Sequence, residues 1–210
     1  SHYLINAKGQ RFCIFQPNFF ITLRMQAEFT DEDNSMESIS QLLAVRRSHR
    51  KFTDESVSAD EVRQLMRAAL MAPSSKGMHS YEFVVVEDPS TIEALSRCKA
   101  MGADFVAGAP LVIAVLADPA LSEVWVEDAS VAATCLLLQA EDLGLGACWV
   151  QVRGRKTQDG GDSEQYVRRL LGVPEGHGVC CLVAVGHKGM ERKPQNEDRL
   201  KWERVHTGRY

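Results

Sequence analysis

The chain has 210 residues, 45% of them hydrophobic, 25% charged and 7% aromatic, and its 24 Lys+Arg against 28 Asp+Glu leave a net charge of −4. This is the profile of a soluble globular protein, long enough to bury roughly 70% of its unfolded surface without a metal or disulfide staple. The mild acidity argues against a protein whose whole surface grips nucleic acid, and no run of about 18 apolar residues exists to span a membrane.

Residues 1–35 differ from the rest. Apolar residues 12–15 and 19–21 are divided by Gln16-Pro17-Asn18, and the acidic Asp31-Glu32-Asp33 follows. A signal peptide would need an unbroken apolar run and a small-residue cleavage site, and the segment offers neither. It reads as an N-terminal extension or as upstream sequence carried with the domain, which is expected to occupy residues 36–210.

From Met36 the pattern is regular. Ile39, Leu42 and Leu43 share one face of a short helix that ends in Arg46-Arg47. Ser58-Ala-Asp-Glu61 has capping-box spacing. Val62, Leu65, Met66, Ala69 and Leu70 then form one stripe, and Pro73 stops that helix. Residues 83–86 read as a buried strand, 90–100 as an amphipathic helix carrying Ile92 and Leu95, and 111–116 as a second buried strand. Residues 122–143 form the longest helix, apolar or small at Ala129, Ala132, Ala133, Leu136, Leu137, Ala140 and Leu143, with Gly144 as its stop. A third strand over 147–152 leads into a basic, polar loop over 153–161. Asp162 can cap a helix that runs to Leu171, with Gln165 at the reciprocal position. Residues 179–185 make a fourth strand, and the charged tail beyond Gly186 keeps Leu200, Trp202 and Val205. On periodicity alone, this alternation predicts an α/β fold with parallel strands.

The candidate chemistry is sparse. Cys13, Cys98, Cys135, Cys148, Cys180 and Cys181 lie mainly in apolar runs without a CxxC, as reduced core residues of a cytoplasmic protein would. His177 with Cys180 and Cys181 comes nearest to a metal set. Adjacent strand residues point to opposite faces, so no metal site is expected. GxSxG, HExxH and GxxxxGK[ST] are all missing, which leaves cofactor-supplied chemistry for an enzyme. Arg46-Arg47-Ser48-His49-Arg50-Lys51 is the densest cationic cluster. Arginine forks and a hydroxyl suit an anionic group, although cations also gather at helix C-termini to complement the dipole. The 72–83 segment is a turn of small polar groups between a helix and a strand. Gly144-Leu-Gly146 follows a helix rather than a strand and is not a dinucleotide fingerprint.

Taken in order, Arg46 to Phe52, Ala72-Pro-Ser-Ser75, Tyr81-Glu-Phe-Val-Val-Val86, Trp125-Val-Glu-Asp128-Ala-Ser130, Gly144-Leu-Gly-Ala-Cys-Trp149 and Val185-Gly186 with its basic tail resemble the FMN-dependent nitroreductase family. The resemblance covers the chain from Met36 onward. It implies an α+β fold, a mainly antiparallel central sheet surrounded by helices, in an intertwined homodimer with FMN at the subunit interface. The family's phosphate- and flavin-binding motif falls on Arg46, Arg47, Ser48 and Arg50. Its second segment falls on Pro73, Ser74 and Ser75 and reaches FMN from the other subunit, while Gly77 stands where an Asn is common. The strand beside flavin N5 falls on Trp149, Val150 and Gln151, with backbone N–H groups of residues 150–152 as possible donors. Arg192 or Lys193 is the expected tail contact to phosphate, with Arg199 a further candidate. Trp125 and His79 are expected to roof the substrate pocket.

The resemblance therefore implies an NAD(P)H-dependent oxidoreductase that reduces nitroaromatics, quinones or similar acceptors. Flavin N5 carries the hydride and no catalytic side chain is required. The alternative is an FMN-binding protein of the same fold serving as a sensor, a scavenger or a dehalogenase- or dehydrogenase-like specialist. Nucleic-acid binding through residues 46–51 is disfavoured by the acidic balance and by the lack of an aromatic stacking platform.

Overall fold

A computed structural model describes residues 3–5, 11–13 and 38–210. The chain divides into two units, Ser1–Ser35 and Met36–Tyr210. In the first, β1 (Tyr3–Ile5) pairs antiparallel with β2 (Arg11–Cys13), Tyr3 opposite Cys13. The second apolar run, the acidic stretch and the latter half of the first run lie outside the described residues.

The second unit opens with α1 (Ile39–Val45), α2 (Ala59–Leu70), β3 (Tyr81–Val86) and α3 (Pro89–Leu95). It continues through β4 (Leu111–Ala117), α4 (Trp125–Asp142), β5 (Leu145–Gln151), α5 (Ser163–Leu171) and β6 (Gly178–His187). Local chemistry sets the helix starts. At Ser58 the capping box forms, Ser58 Oγ accepting from Glu61 N–H at 3.3 Å while Glu61 accepts from Ser58 N–H at 2.7 Å. Ser38 and Gln41 make a second box at α1, which the sequence pattern did not single out. Asp88 caps α3 with three hydrogen bonds from Ser90 and Thr91, and they hold its carboxyl at about 2. Asp162 caps α5, which Gly172 closes at φ 65°. The α3 helix ends at Leu95 rather than continuing to 100, and α4 begins at Trp125 rather than 122.

The sheet order is β3-β4-β6-β5 and every neighbouring pair is antiparallel, with Phe83 opposite Val115, Ala114 opposite Leu182, and Leu182 opposite Val150. This confirms the mainly antiparallel sheet that the family resemblance implied and overturns the parallel arrangement predicted from periodicity. The β3–α3–β4 connection leaves and re-enters at the same end of the sheet. By contrast, β4 and β5 do run the same way, joined by α4, but β6 inserts between them in the opposite sense. Hydrophobic period reports that strands and helices alternate; it carries no information about which strand fills the gap.

Both central strands are buried along nearly their whole length. Val112, Ala114, Leu182, Ala184 and Val150 pack on one face with Ile92 and Leu95 of α3 and Val167 of α5. On α4, Ala129, Ala132, Ala133, Leu136 and Ala140 are buried. These small residues let α4 lie close to the sheet and to α2. A register slip between Val115 and Leu116 marks a bulge in the facing stretch of β6. It corrects the expectation that Cys180 and Cys181 face opposite ways, because a bulge turns two successive side chains toward one side. A hydrogen bond from Cys181 brings the Cys180 thiol down to about 7, while burial drives Cys181 well above its ordinary range. Cys98, Cys135, Cys148, Cys180 and Cys181 are all free. Among the described residues no helix is long and apolar enough to cross a membrane, and no group of His, Cys, Asp and Glu could hold a metal ion.

Candidate functional site

The cationic segment leaves α1 in an extended conformation at Arg46, φ −56° and ψ 127°. It then joins the outer edge of β5. Ser48 bridges Ala147 in parallel, and His49 N–H donates to the Ala147 carbonyl at 3.0 Å. Phe52 bridges Lys188 just past β6. Only glycine fits at 146, where a Cβ would stand 2.8 Å from His49 Cβ. Buried His49 has its pKa lowered by desolvation and then by the Lys188 charge. Lys188 is itself held at 2.7 Å by Glu141 near the C-terminal end of α4.

Around this segment the cations converge. Burial raises the Cys148 thiol, and the charge of Arg50, the hydroxyl of Ser48 and the charge of Arg46 oppose it. Arg50 is exposed, its guanidinium 5.7 Å from the centre of the Phe105 ring. The Arg192 charge reaches His49. Arg47 takes a different course and donates through Nη1 to the carbonyls of Lys193 at 2.9 Å and Pro194 at 3.2 Å. Gln195 adds an N–H bond to Ala44 O at 2.7 Å and an amide bond to Arg46 O at 3.4 Å. Residues 193–195 are thus strapped onto the segment that carries the arginines. Arg199 lies beyond the strap in the short turn Glu197–Arg199.

The strand edge supplies the other half of the site. Since Ala147 O points away from β6 to meet His49, the backbone groups of Trp149 and Gln151 point the same way, two and four residues on. Val150 turns its backbone to Leu182 and its side chain into the core. The outward backbone groups at this edge are therefore those of Trp149 and Gln151, while those of Val150 face β6. Trp149 Nε1 donates to Gln151 Oε1 at 2.9 Å, and Gln151 Nε2 donates to Arg153 O at 2.8 Å. The Arg153 guanidinium lies 5.5 Å from the Trp125 ring centre. That ring fills the space over Gly178, where a Cβ would stand 2.3 Å away.

The second segment sits elsewhere. Ser75 N–H donates to Asp128 Oδ1 at 2.8 Å, and Ser122 Oγ donates to Asp128 Oδ2 at 2.9 Å. Ser74 Oγ accepts from His79 N–H at 2.9 Å. Lys76, Gly77 and His79 all have positive φ (53°, 66° and 46°), so Gly77 is the one residue of the three that takes this conformation without strain. Tyr81 OH donates to Ala72 O at 2.5 Å and meets His79 Nδ1 at 2.7 Å. Burial and then the Asp128 charge raise the Tyr81 pKa. Asp128 lies in the first turns of α4 and Glu141 near its end, about 20 Å apart at 1.5 Å per residue.

One chain therefore lays Ser48 along the β5 edge at Ala147, with the charges of Arg46 and Arg50 acting on Cys148 and that of Arg192 on His49. It keeps Pro73, Ser74, Ser75, Gly77 and His79 toward the opposite end of α4 from the arginines, and it turns Arg47 and the Lys193 carbonyl toward each other. Sequence reasoning assigned no role to Asp128, His49 or Arg153. A signal for Asp128 was present: a carboxylate at position 128 continues the apolar stripe through 132, 136 and 140.

The Nitroreductase family model matches residues 43–102 and 93–187. An archaeal protein of Archaeoglobus fulgidus with the provisional name NADH dehydrogenase/NAD(P)H nitroreductase is 31% identical over 180 residues, 83% of this chain and 100% of that protein. The FMN-dependent nitroreductase of Clostridium difficile R20291 superposes with a TM-score of 0.80 at 40% identity, covering 82% of this chain and 100% of the other. A Bacteroides thetaiotaomicron structure with the same provisional name as the archaeal protein gives 0.75 at 27% identity, over 81% and 97% of the two chains. Fold and matches together define an α+β oxidoreductase. Within that class, the chain belongs to the nitroreductase family.

Proposed function

We propose that this protein is an FMN-dependent oxidoreductase that takes electrons from NAD(P)H and reduces nitroaromatic, quinone or similar small acceptors as a homodimer. The observation that carries the reading is the arginine segment laid against the open edge of β5. Its donor set suits FMN: guanidinium groups and a hydroxyl match a phosphate monoester of charge about −1.5 to −2, and outward backbone groups at Trp149 and Gln151 suit the polar edge of a flavin ring. Arg46, Ser48, Arg50 and Arg192 would hold the phosphate end, and the half-buried Trp149 and Gln151 would orient the ring.

Bound FMN supplies a two-electron carrier that receives hydride at N5 and passes it on. The protein's own part is to bind, orient and exclude water. Donor and acceptor would use the same flavin face in turn, beneath Trp125, which would give a ping-pong order with NAD(P)⁺ leaving before the acceptor enters.

Two observations support the homodimer. Ser74 and Ser75 lie at the far end of α4 from the arginine segment, so in the family's arrangement they serve the site of a second copy. Ile39 and Leu43 of α1, Leu70 and Met71 at the end of α2, and Trp202 and Val205 of the tail are exposed, which suits a face covered by another chain. The FMN-binding unit is residues 36–210, with residues 1–35 dispensable for flavin binding.

The test is direct. Purified protein should be yellow, release FMN on denaturation and give parallel initial-rate lines with NAD(P)H and an acceptor. Colourless protein that FMN cannot reconstitute would sink the reading. Intersecting lines would overturn the kinetic order, and FMN binding without turnover would favour the sensor or scavenger role.

A further inference from the structure

We propose that the turn following β5 holds a phosphate-binding site for the nicotinamide dinucleotide, built on Arg153 and Arg155 with Lys156 beside them. The inference rests on the oxidoreductase reading and adds the place where the donor's phosphates dock.

Residues 153–156 read Arg-Gly-Arg-Lys, and all are exposed. Their backbone is nonetheless fixed on every side. Arg155 N–H donates to Val152 O at 3.0 Å to close the turn, with Gly154 at φ 69°. Arg153 N–H donates to Cys180 O at 3.2 Å, Arg155 O accepts from Ser163 N–H at 3.1 Å, and Lys156 O accepts from Ala100 N–H at 2.9 Å. The turn is thus tied to β6, to the start of α5 and to the segment after α3.

The loop's carboxylates are committed to their own backbone. Asp159 accepts from the Thr157 hydroxyl and from Gly161 N–H, and Asp162 caps α5. Among the described residues no carboxylate stands within ion-pair distance of Arg153, Arg155 or Lys156. Three cations that form no ion pair among the described residues, on a rigid turn of an acidic protein, make a local positive patch. Trp125 backs the Arg153 guanidinium, limiting its freedom and orienting its fork. The Gln151 side chain ties the turn to the Trp149 edge, so the patch continues directly from the edge proposed to face the flavin.

Guanidinium forks match phosphate oxygens. A dinucleotide offers two sources, the pyrophosphate of NADH and NADPH alike and the 2′-phosphate of NADPH alone. The experiment is calorimetric titration of FMN-loaded protein with NAD⁺, NADP⁺ and 2′,5′-ADP, comparing wild type with Arg153→Gln, Arg155→Gln and, as a charge control, Arg97→Gln. Arg97 pairs with the exposed Glu93 on α3. Each loop variant should raise the Kd about tenfold, and the wild-type Kd should rise steeply with salt. Weakening of both dinucleotides assigns the patch to the pyrophosphate, and weakening of NADP⁺ and 2′,5′-ADP alone assigns it to the 2′-phosphate. Unchanged affinities in both variants would overturn the site while leaving the oxidoreductase reading intact, as would variants that lose FMN instead. Wild-type holoprotein that binds neither dinucleotide would sink the donor reading itself.

Discussion

Asp128→Ala tests how the Ser74–Gly77 loop is held. Asp128 is 5% exposed, and its carboxylate accepts from Ser75 N–H at 2.8 Å and Ser122 Oγ at 2.9 Å. Each hydrogen bond to a charged, buried acceptor contributes about 1.5–3 kcal/mol. Removing both, with water entering the space and the loop relaxing, should cost about 3 kcal/mol in the urea-unfolding free energy. Asp128→Asn keeps one oxygen for Ser75 and offers an amide to the Ser122 hydroxyl, so its cost should be near 1 kcal/mol. If the loop meets FMN from a second copy, loosening it should also raise the FMN Kd, roughly tenfold for alanine and less for asparagine. Flavin fluorescence titration of refolded protein reads this separately from stability. Equal stability of wild type, asparagine and alanine variants would refute the argument that the buried carboxylate holds the loop.

Other perturbations probe the rest of the site. Arg50→Ala should raise the FMN Kd about 10- to 150-fold through loss of one charge-assisted bond, and unchanged affinity by fluorescence would remove it from the cofactor site. Arg47→Ala should expose residues 193–210 to limited proteolysis and weaken self-association in sedimentation, with a smaller effect on FMN affinity; a protected tail would contradict the strap. For His49, burial favours the neutral ring, so the unfolded chain binds more protons below pH 6.5 and stability falls as pH drops through that value. His49→Gln should flatten this loss in urea midpoints compared at pH 7.5 and 5.5, and an unaltered slope would assign the loss to other groups.

Local structure was largely legible in the sequence. The caps at Ser58 and Asp162, the stops at Pro73 and Gly144 and the four core strands follow from short-range rules of hydrogen bonding and hydrophobic period, which act within a few residues. The family was legible too, through six short motifs in order. Strand direction was not, because the long α4 connects two strands that run alike while β6, far along the chain, fills the gap between them. The same holds for the site's inner partners. Nothing near Asp128 in the chain announces Ser75, which meets it only after α2 and α4 pack, and Arg47 meets the carbonyls of Lys193 and Pro194 from the opposite end of the domain. The facing of Val150 was decided by the pairing of His49 with Ala147, a bond across almost a hundred residues. Cys180 and Cys181 share a side only because β6 bulges against β4. Periodicity and motifs encode what each segment is; which segments become neighbours depends on long-range closure and packing, and that decides which polar groups reach the open edge of β5.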